Sequence, residues 1–164
     1  MKSIVFLFLK SFIFLSILYL IGYFLVFPVS SINKIELMKW VFLPTTFLST
    51  ILLLFHILIS KRVGITNNFS SKQEGVLYKE VNLKELSDKI QNKTNWKLIH
   101  IDGGKLIFKS RFDSFKSFGE LIVISKTQNK TNISSKPLFW TTLFDMGKNF
   151  QNVEQIKTFA HIQD

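Results

Sequence analysis

Cysteine is absent from the 164-residue sequence. Disulfides, thiolate metal sites and cysteine nucleophiles are therefore excluded. Arginine is nearly absent: only Arg62 and Arg111 occur, with no stripe of clustered arginine and aromatic side chains. A nucleic-acid partner is not expected on that basis. The three histidines are spread along the chain, so the three or four convergent ligands of a metal site cannot be assembled, and neither metal nor cofactor is expected. Gly103-Gly104 lacks the spacing and lysine of a phosphate-binding loop and reads as a turn. No internal repeat is visible.

What is present is apolar and unevenly placed. Hydrophobic residues make up 47% of the chain, and the long apolar runs fall in the first sixty positions. The first run extends from Ile4 to Phe27, interrupted by Lys10, Ser11, Ser16 and Gly22. A membrane-crossing helix needs about 20 apolar residues. Ser11 to Phe27 lies at the short end of that range, and including Ile4 to Leu9 makes the helix longer than a bilayer core. Lys10 then keeps its stem in hydrocarbon and its ammonium at the headgroups. A cleaved signal peptide would share the basic, apolar start. However, the run is too long, Phe27-Pro28-Val29-Ser30-Ser31 is a poor cleavage site, and a second run follows.

That second run, Val41 to Ser60, carries no formal charge and as a helix covers about 30 Å. Trp40 before it and Lys61-Arg62 after it are interface anchors. Pro44 falls in the first turn, where a missing N–H does no harm. His56, near the far end, reads either as a proton relay or ligand, or as a neutral histidine at the interface or against the partner helix; its position favours the second. Lysines flank both outer ends of the two runs and outnumber those of the linker Pro28 to Lys39. Both termini are therefore expected in the cytoplasm, with the hairpin in a bacterial inner membrane.

The expected domains are a transmembrane hairpin over 1–62, with spans of 4–27 and 41–60, a polar linker over 63–75, and a soluble α+β domain over 76–164. Asn82 to Glu85 reads as a capping box, with Leu83, Leu86 and Ile90 on one helical face. Trp96 to Asp102, the Gly103-Gly104 turn and Lys105 to Phe112 form a hairpin. Phe118 to Lys126, Thr131 to Ser135 and Phe139 to Phe144 add further strands. A closing helix has Asn149 as its cap and Phe150, Val153, Ile156, Phe159 and Ala160 inward. Short links imply an antiparallel sheet with flanking helices.

Candidate chemistry is thin. His100 and Asp102 are two apart on a strand and share a face, as a general base oriented by a carboxylate would; no serine at a strained elbow accompanies them. Asp145, Gly147 and Asn149 read as a helix start, with Asp145 accepting backbone N–H groups and Gly147 at positive φ. The same N–H groups with Lys148 and Asn149 would make an anion site. From Lys61 onward 17 Lys and Arg face 10 Asp and Glu. That surplus suits solubility, or anionic lipid headgroups, at about 1 kcal/mol for each nearby cation.

Ile133-Ser134-Ser135-Lys136-Pro137, Asp145-Met146-Gly147-Lys148-Asn149, then Asn152-Val153 and Ile156 form the most distinctive stretch. From Leu83 to Ile162 the chain resembles small bacterial proteins grouped as a domain of unknown function, the family numbered fourteen ninety-nine. There a strand ending in Ser-x-Ser leads through Asp-x-Gly-x-Asn into a helix. This chain has Ser134-Ser135, a longer segment from Lys136 to Phe144, and Asn-Val where the family has Arg-Ile. The resemblance implies a domain often preceded by membrane helices, and no activity. The expected role is a membrane-anchored, non-enzymatic module or accessory subunit bound to the bilayer and to a protein partner. The alternatives are an enzyme using His100, Asp102 and Lys148, or a binder of small molecules or anionic lipid.

Overall fold

The computed structural model describes all residues except Met1, 28–32, 67, 79, 113–117, 140, 141, 143 and 162–164. It begins with two long apolar helices. The first, α1, runs over Lys2–Val26. The second starts as α2, Lys34–Leu37, passes through a π-helical turn at Met38–Phe42 and continues as α3, Leu43–Arg62. It therefore starts well before the expected Val41. Asn33 accounts for this, since its side chain accepts the Ile35 N–H at 2.9 Å and caps the helix there. Pro44 does stand in the first turn of α3, but inside a longer helix. The π turn just ahead of it, with the Leu43 N–H reaching Met38 O, widens the coil where a proline would otherwise crowd the Trp40 carbonyl.

Thr45, Ser49, His56 and Ser60 form the buried face of α3, and Leu7, Ser11 and Tyr23 that of α1. Residues spaced about four apart share a helix face, and small hydroxyl residues there let two backbones approach closely. The opposite faces expose Phe6, Ile13, Ile17, Ile21 and Leu25 on α1, and Leu43, Phe47, Leu54 and Leu58 on α3.

The rest of the chain is α+β, as expected. Five strands, β1 (Gln73–Leu77), β2 (Lys97–Asp102), β3 (Lys105–Lys109), β4 (Glu120–Thr127) and β5 (Lys130–Pro137), form one sheet in the order β1-β5-β4-β3-β2. All neighbours are antiparallel. Two helices, α4 (Leu83–Lys93) and α5 (Lys148–His161), cover one face. The core joins Leu106, Phe108, Ile122, Ile124 and Ile133 of the sheet to Leu86, Ile90, Val153 and Ile156 of the helices. Each such side chain contributes about 1.5–3 kcal/mol on full burial.

Three local expectations change. Strand β1 begins at Gln73, where a polar linker was expected to continue to Gly75. Only Gln73 and Leu77 of this edge strand are buried, so it carries little apolar alternation of its own; pairing with β5 makes it a strand. The expected strand from Phe139 to Phe144 is not one at its described residues, Phe139, Thr142 and Phe144. Thr142 and Phe144 turn to the helical hairpin instead. Half of the capping box forms: Asn82 Oδ1 accepts the N–H groups of Lys84 at 3.1 Å and Glu85 at 3.4 Å. Glu85 turns forward to Lys89, 3.1 Å away.

Candidate functional site

The hairpin and the sheet domain are joined by packed contacts. Leu7, Ile65 and Phe69 form a buried cluster with Ile4, Leu53, Ile57, Val63, Phe144 and Phe150. His56, fully buried on α3, has Nε2 2.8 Å from the Phe69 carbonyl oxygen. A carbonyl only accepts, so Nε2 carries the proton. The Phe144 ring lies 5.2 Å from the imidazole, and Lys10 Nζ donates to Thr142 O at 3.2 Å. His56 thus faces the domain and its linker, and Lys10 reaches into the segment between β5 and α5.

His100 and Asp102 do meet, with Nε2 3.1 Å from Oδ2 and both side chains about half exposed. Pairing of His100 with Ile107 and of Asp102 with Lys105 places them on the sheet face away from α4 and α5. They sit beside the β2–β3 turn, at the end of the sheet away from the hairpin. The other Asp102 oxygen accepts the Gly104 N–H at 2.9 Å. That bond first, then the contact with His100, holds the carboxyl below its ordinary range. The carboxylate therefore closes a turn. A groove of about 630 Å³ adjoins Asp102 between Val81, Leu83 and Lys126, and His100 is not on it.

Lys148 and Asn149 lie at the opposite end, at the start of α5, so the three residues of the enzymatic alternative are not brought together. Asn149 is not the helix cap; it is the second residue of α5. Asp145 does the capping: Oδ2 accepts Asn149 N and Nδ2, each at 2.9 Å, and Oδ1 accepts Gly147 N at 3.3 Å. Positive φ at Met146 (48°) and Gly147 (77°) turns those N–H groups toward it. The N–H groups of the alternative anion site are thus taken by the chain's own carboxylate.

A buried polar chain missed in the sequence extends from this cap. Ser135 Oγ donates to Asn149 Oδ1 at 2.5 Å, and Asn152 Nδ2 donates to Ser135 Oγ at 3.2 Å and toward Glu120 Oε2 at 3.5 Å. The Ser110 hydroxyl donates to Glu120 Oε2 and accepts the Glu120 N–H at 2.7 Å. All six residues from Ser110 to Asp145 are buried. Burial raises the Glu120 pKa, opposed by hydrogen bonds from Ser110 and Asn152 and by the charge of Lys148. The available signal was Glu120 itself, a carboxylate in phase with inward Ile122 and Ile124, together with Asn149 and Asn152 on the inner face of α5. Sealed from solvent, the chain fastens α5 to the sheet.

The hairpin-facing end of the sheet carries a different surface. Lys97, Lys109, Leu121 and Lys136 are successive partners across β2, β3, β4 and β5. Beside them Phe112 and Phe118 are exposed, with ring centroids 5.7 Å apart. A groove of about 820 Å³ is lined by Trp96, Lys97, Lys109, Arg111, Phe112 and Phe118, among others. A second, of about 440 Å³, shares Leu138 and Phe139 with it and adds Lys10, Lys72 and Lys136.

Among the described residues no group of His, Asp or Glu is arranged to hold a metal ion. Comparison with protein-family models, curated proteins and solved structures finds no match for this chain.

Proposed function

We propose that the chain is a membrane-anchored, non-enzymatic interaction module, an accessory subunit whose hairpin crosses the bilayer and holds the sheet domain at its surface. One observation carries this reading. Both long helices are strongly apolar, with mean hydropathies of 2.5 and 2.1, and most of their surface is left uncovered by the protein. A hydrocarbon surrounding suits two helices of that kind. The joint at His56, Phe69, Lys10 and Thr142 fixes how the domain sits on them. The polar clusters serve structure: Asp102 closes a turn, Asp145 caps α5, and Glu120 is sealed.

Orientation follows the same reading. Lys61-Arg62 and the N-terminal lysines favour both termini on the cytoplasmic side of a bacterial inner membrane. The likeness of the C-terminal segment to the fourteen ninety-nine family is part of the proposal and brings no activity with it. The test is purification of the full chain in mild detergent after membrane extraction. A complex of defined stoichiometry, whose partner is lost when the exposed domain surface is altered, supports the subunit reading. Release by alkaline carbonate, or isolation as a clean monomer with nothing bound, overturns it.

A further inference from the structure

We infer that the hairpin-facing rim of the domain is a lipid-contact surface that selects anionic phospholipid headgroups. The inference rests on the membrane-crossing reading above and says what the domain does at that surface. Continuity with the anchor is the first argument. Lys10 belongs to α1 and lines the same groove as Lys72, Leu121, Lys136 and Phe139. From Ser11 to its end at Val26 α1 is apolar, about 24 Å of rise. Whatever shares a groove with Lys10 therefore stands at headgroup level.

Charge is the second argument. Lys97, Lys109, Arg111 and Lys136 are exposed and have no ion pair among the described residues. Glu74 is the acidic neighbour on β1, and it is taken by Lys72 at 2.5 Å. The third argument is the exposed aromatic side chains: Phe112 is 63% exposed, Phe118 61% and Phe139 53%, in one patch between these cations. Cations flanking aromatic rings match a leaflet interface, where rings reach the acyl boundary and ammonium groups meet phosphate. A soluble partner would leave unexplained why the patch continues onto α1.

Trp96, on the larger groove, is a native reporter. Full-length chain with Trp40→Phe and Trp140→Phe is reconstituted into vesicles of phosphatidylcholine carrying brominated acyl chains, with or without about 30% phosphatidylglycerol. Trp96 quenching is expected to be at least about twofold greater with phosphatidylglycerol. It should fall to the phosphatidylcholine level in the exposed-site variant K97Q/K109Q/R111Q/K136Q. The control K105Q/K130Q, at the far end of the sheet, should leave it unchanged. Equal quenching in both compositions overturns headgroup selection. A matched variant keeping only Trp40 separates the two levels of the argument. If Trp40 is quenched and Trp96 is not, the rim proposal fails and anchoring stands. If Trp40 too is unquenched, the anchoring reading fails and takes the rim with it.

Discussion

The imidazole of His56 lies 2.8 Å from the carbonyl oxygen of Phe69, thirteen residues along the chain, and this bond ties the end of the apolar hairpin to the segment that enters the sheet. Replacement by leucine preserves bulk but leaves the Phe69 carbonyl buried without its donor. A loss of about 1–3 kcal/mol is expected, together with faster proteolysis between Val63 and Ser71. Thermal unfolding in detergent and limited proteolysis measure both. An unchanged melting curve and digestion pattern would show that the joint is not held there.

Gly147 has φ of 77°, and a Cβ placed on it would overlap Val63 Cγ2. Gly147→Ala combines backbone strain with a clash at the hairpin–domain joint and should cost roughly 1–3 kcal/mol. At Gly103 a Cβ meets nothing within 4 Å, so Gly103→Ala should stay within about 0.5 kcal/mol of the parent. Denaturant midpoints compare the two.

Gly75 tests how α5 sits on β1. A Cβ there would stand 2.6 Å from Val153 Cγ1. Gly75→Ala should destabilise the domain by about 1–3 kcal/mol, and a second change, Val153→Ala, should recover part of that loss. The double mutant is then non-additive by roughly 0.5 kcal/mol or more; strict additivity would place α5 elsewhere.

Glu120 carries a pH dependence. Its folded pKa is raised above the ordinary 4.5, so in that window the folded state binds more protons than the unfolded state. Stability therefore falls as pH rises from about 4.5 through the raised value. Glu120→Gln keeps the shape and removes the ionisation, so this slope should vanish in the variant. Urea unfolding at successive pH values reads it directly, and an identical slope in both proteins would assign the titration to another group.

His100 is half exposed, and its removal should cost no more than about 0.5 kcal/mol. His100→Ala should also leave any cellular phenotype of the chain intact. Loss of that phenotype with normal membrane levels would restore the enzymatic alternative. Asp102→Ala should lower the denaturant midpoint through loss of the turn bond to Gly104. Because the Asp102 pKa is held low, that difference should shrink as pH falls through the folded pKa.

Orientation can be read from the absence of cysteine. Tyr78 is 86% exposed, so Tyr78→Cys offers one thiol for a membrane-impermeant maleimide. A cytoplasmic domain is labelled only after the cells are opened; labelling of intact spheroplasts would reverse the topology.

What the sequence determined by itself is what neighbours along the chain decide. The two apolar runs are helices, as unbroken apolar stretches much longer than a strand predict. The Asn82 cap, the Gly103-Gly104 turn and the alternation in β4 all follow from contacts within a few residues. The His100–Asp102 pair was legible too, since two residues of spacing on a strand puts them together. Tertiary structure decided everything that depends on a distant partner. Gln73–Leu77 is a strand only because β5 offers it an edge. Phe144 leaves the sheet because His56, far back in the chain, stands beside it. Asn149 loses the cap to Asp145 because Ser135, bonded to Asn149 Oδ1, draws its side chain toward the sheet. Glu120 lies in a strand whose local pattern says buried, and only Ser110 and Asn152, brought in by packing, show how a carboxylate can stay there.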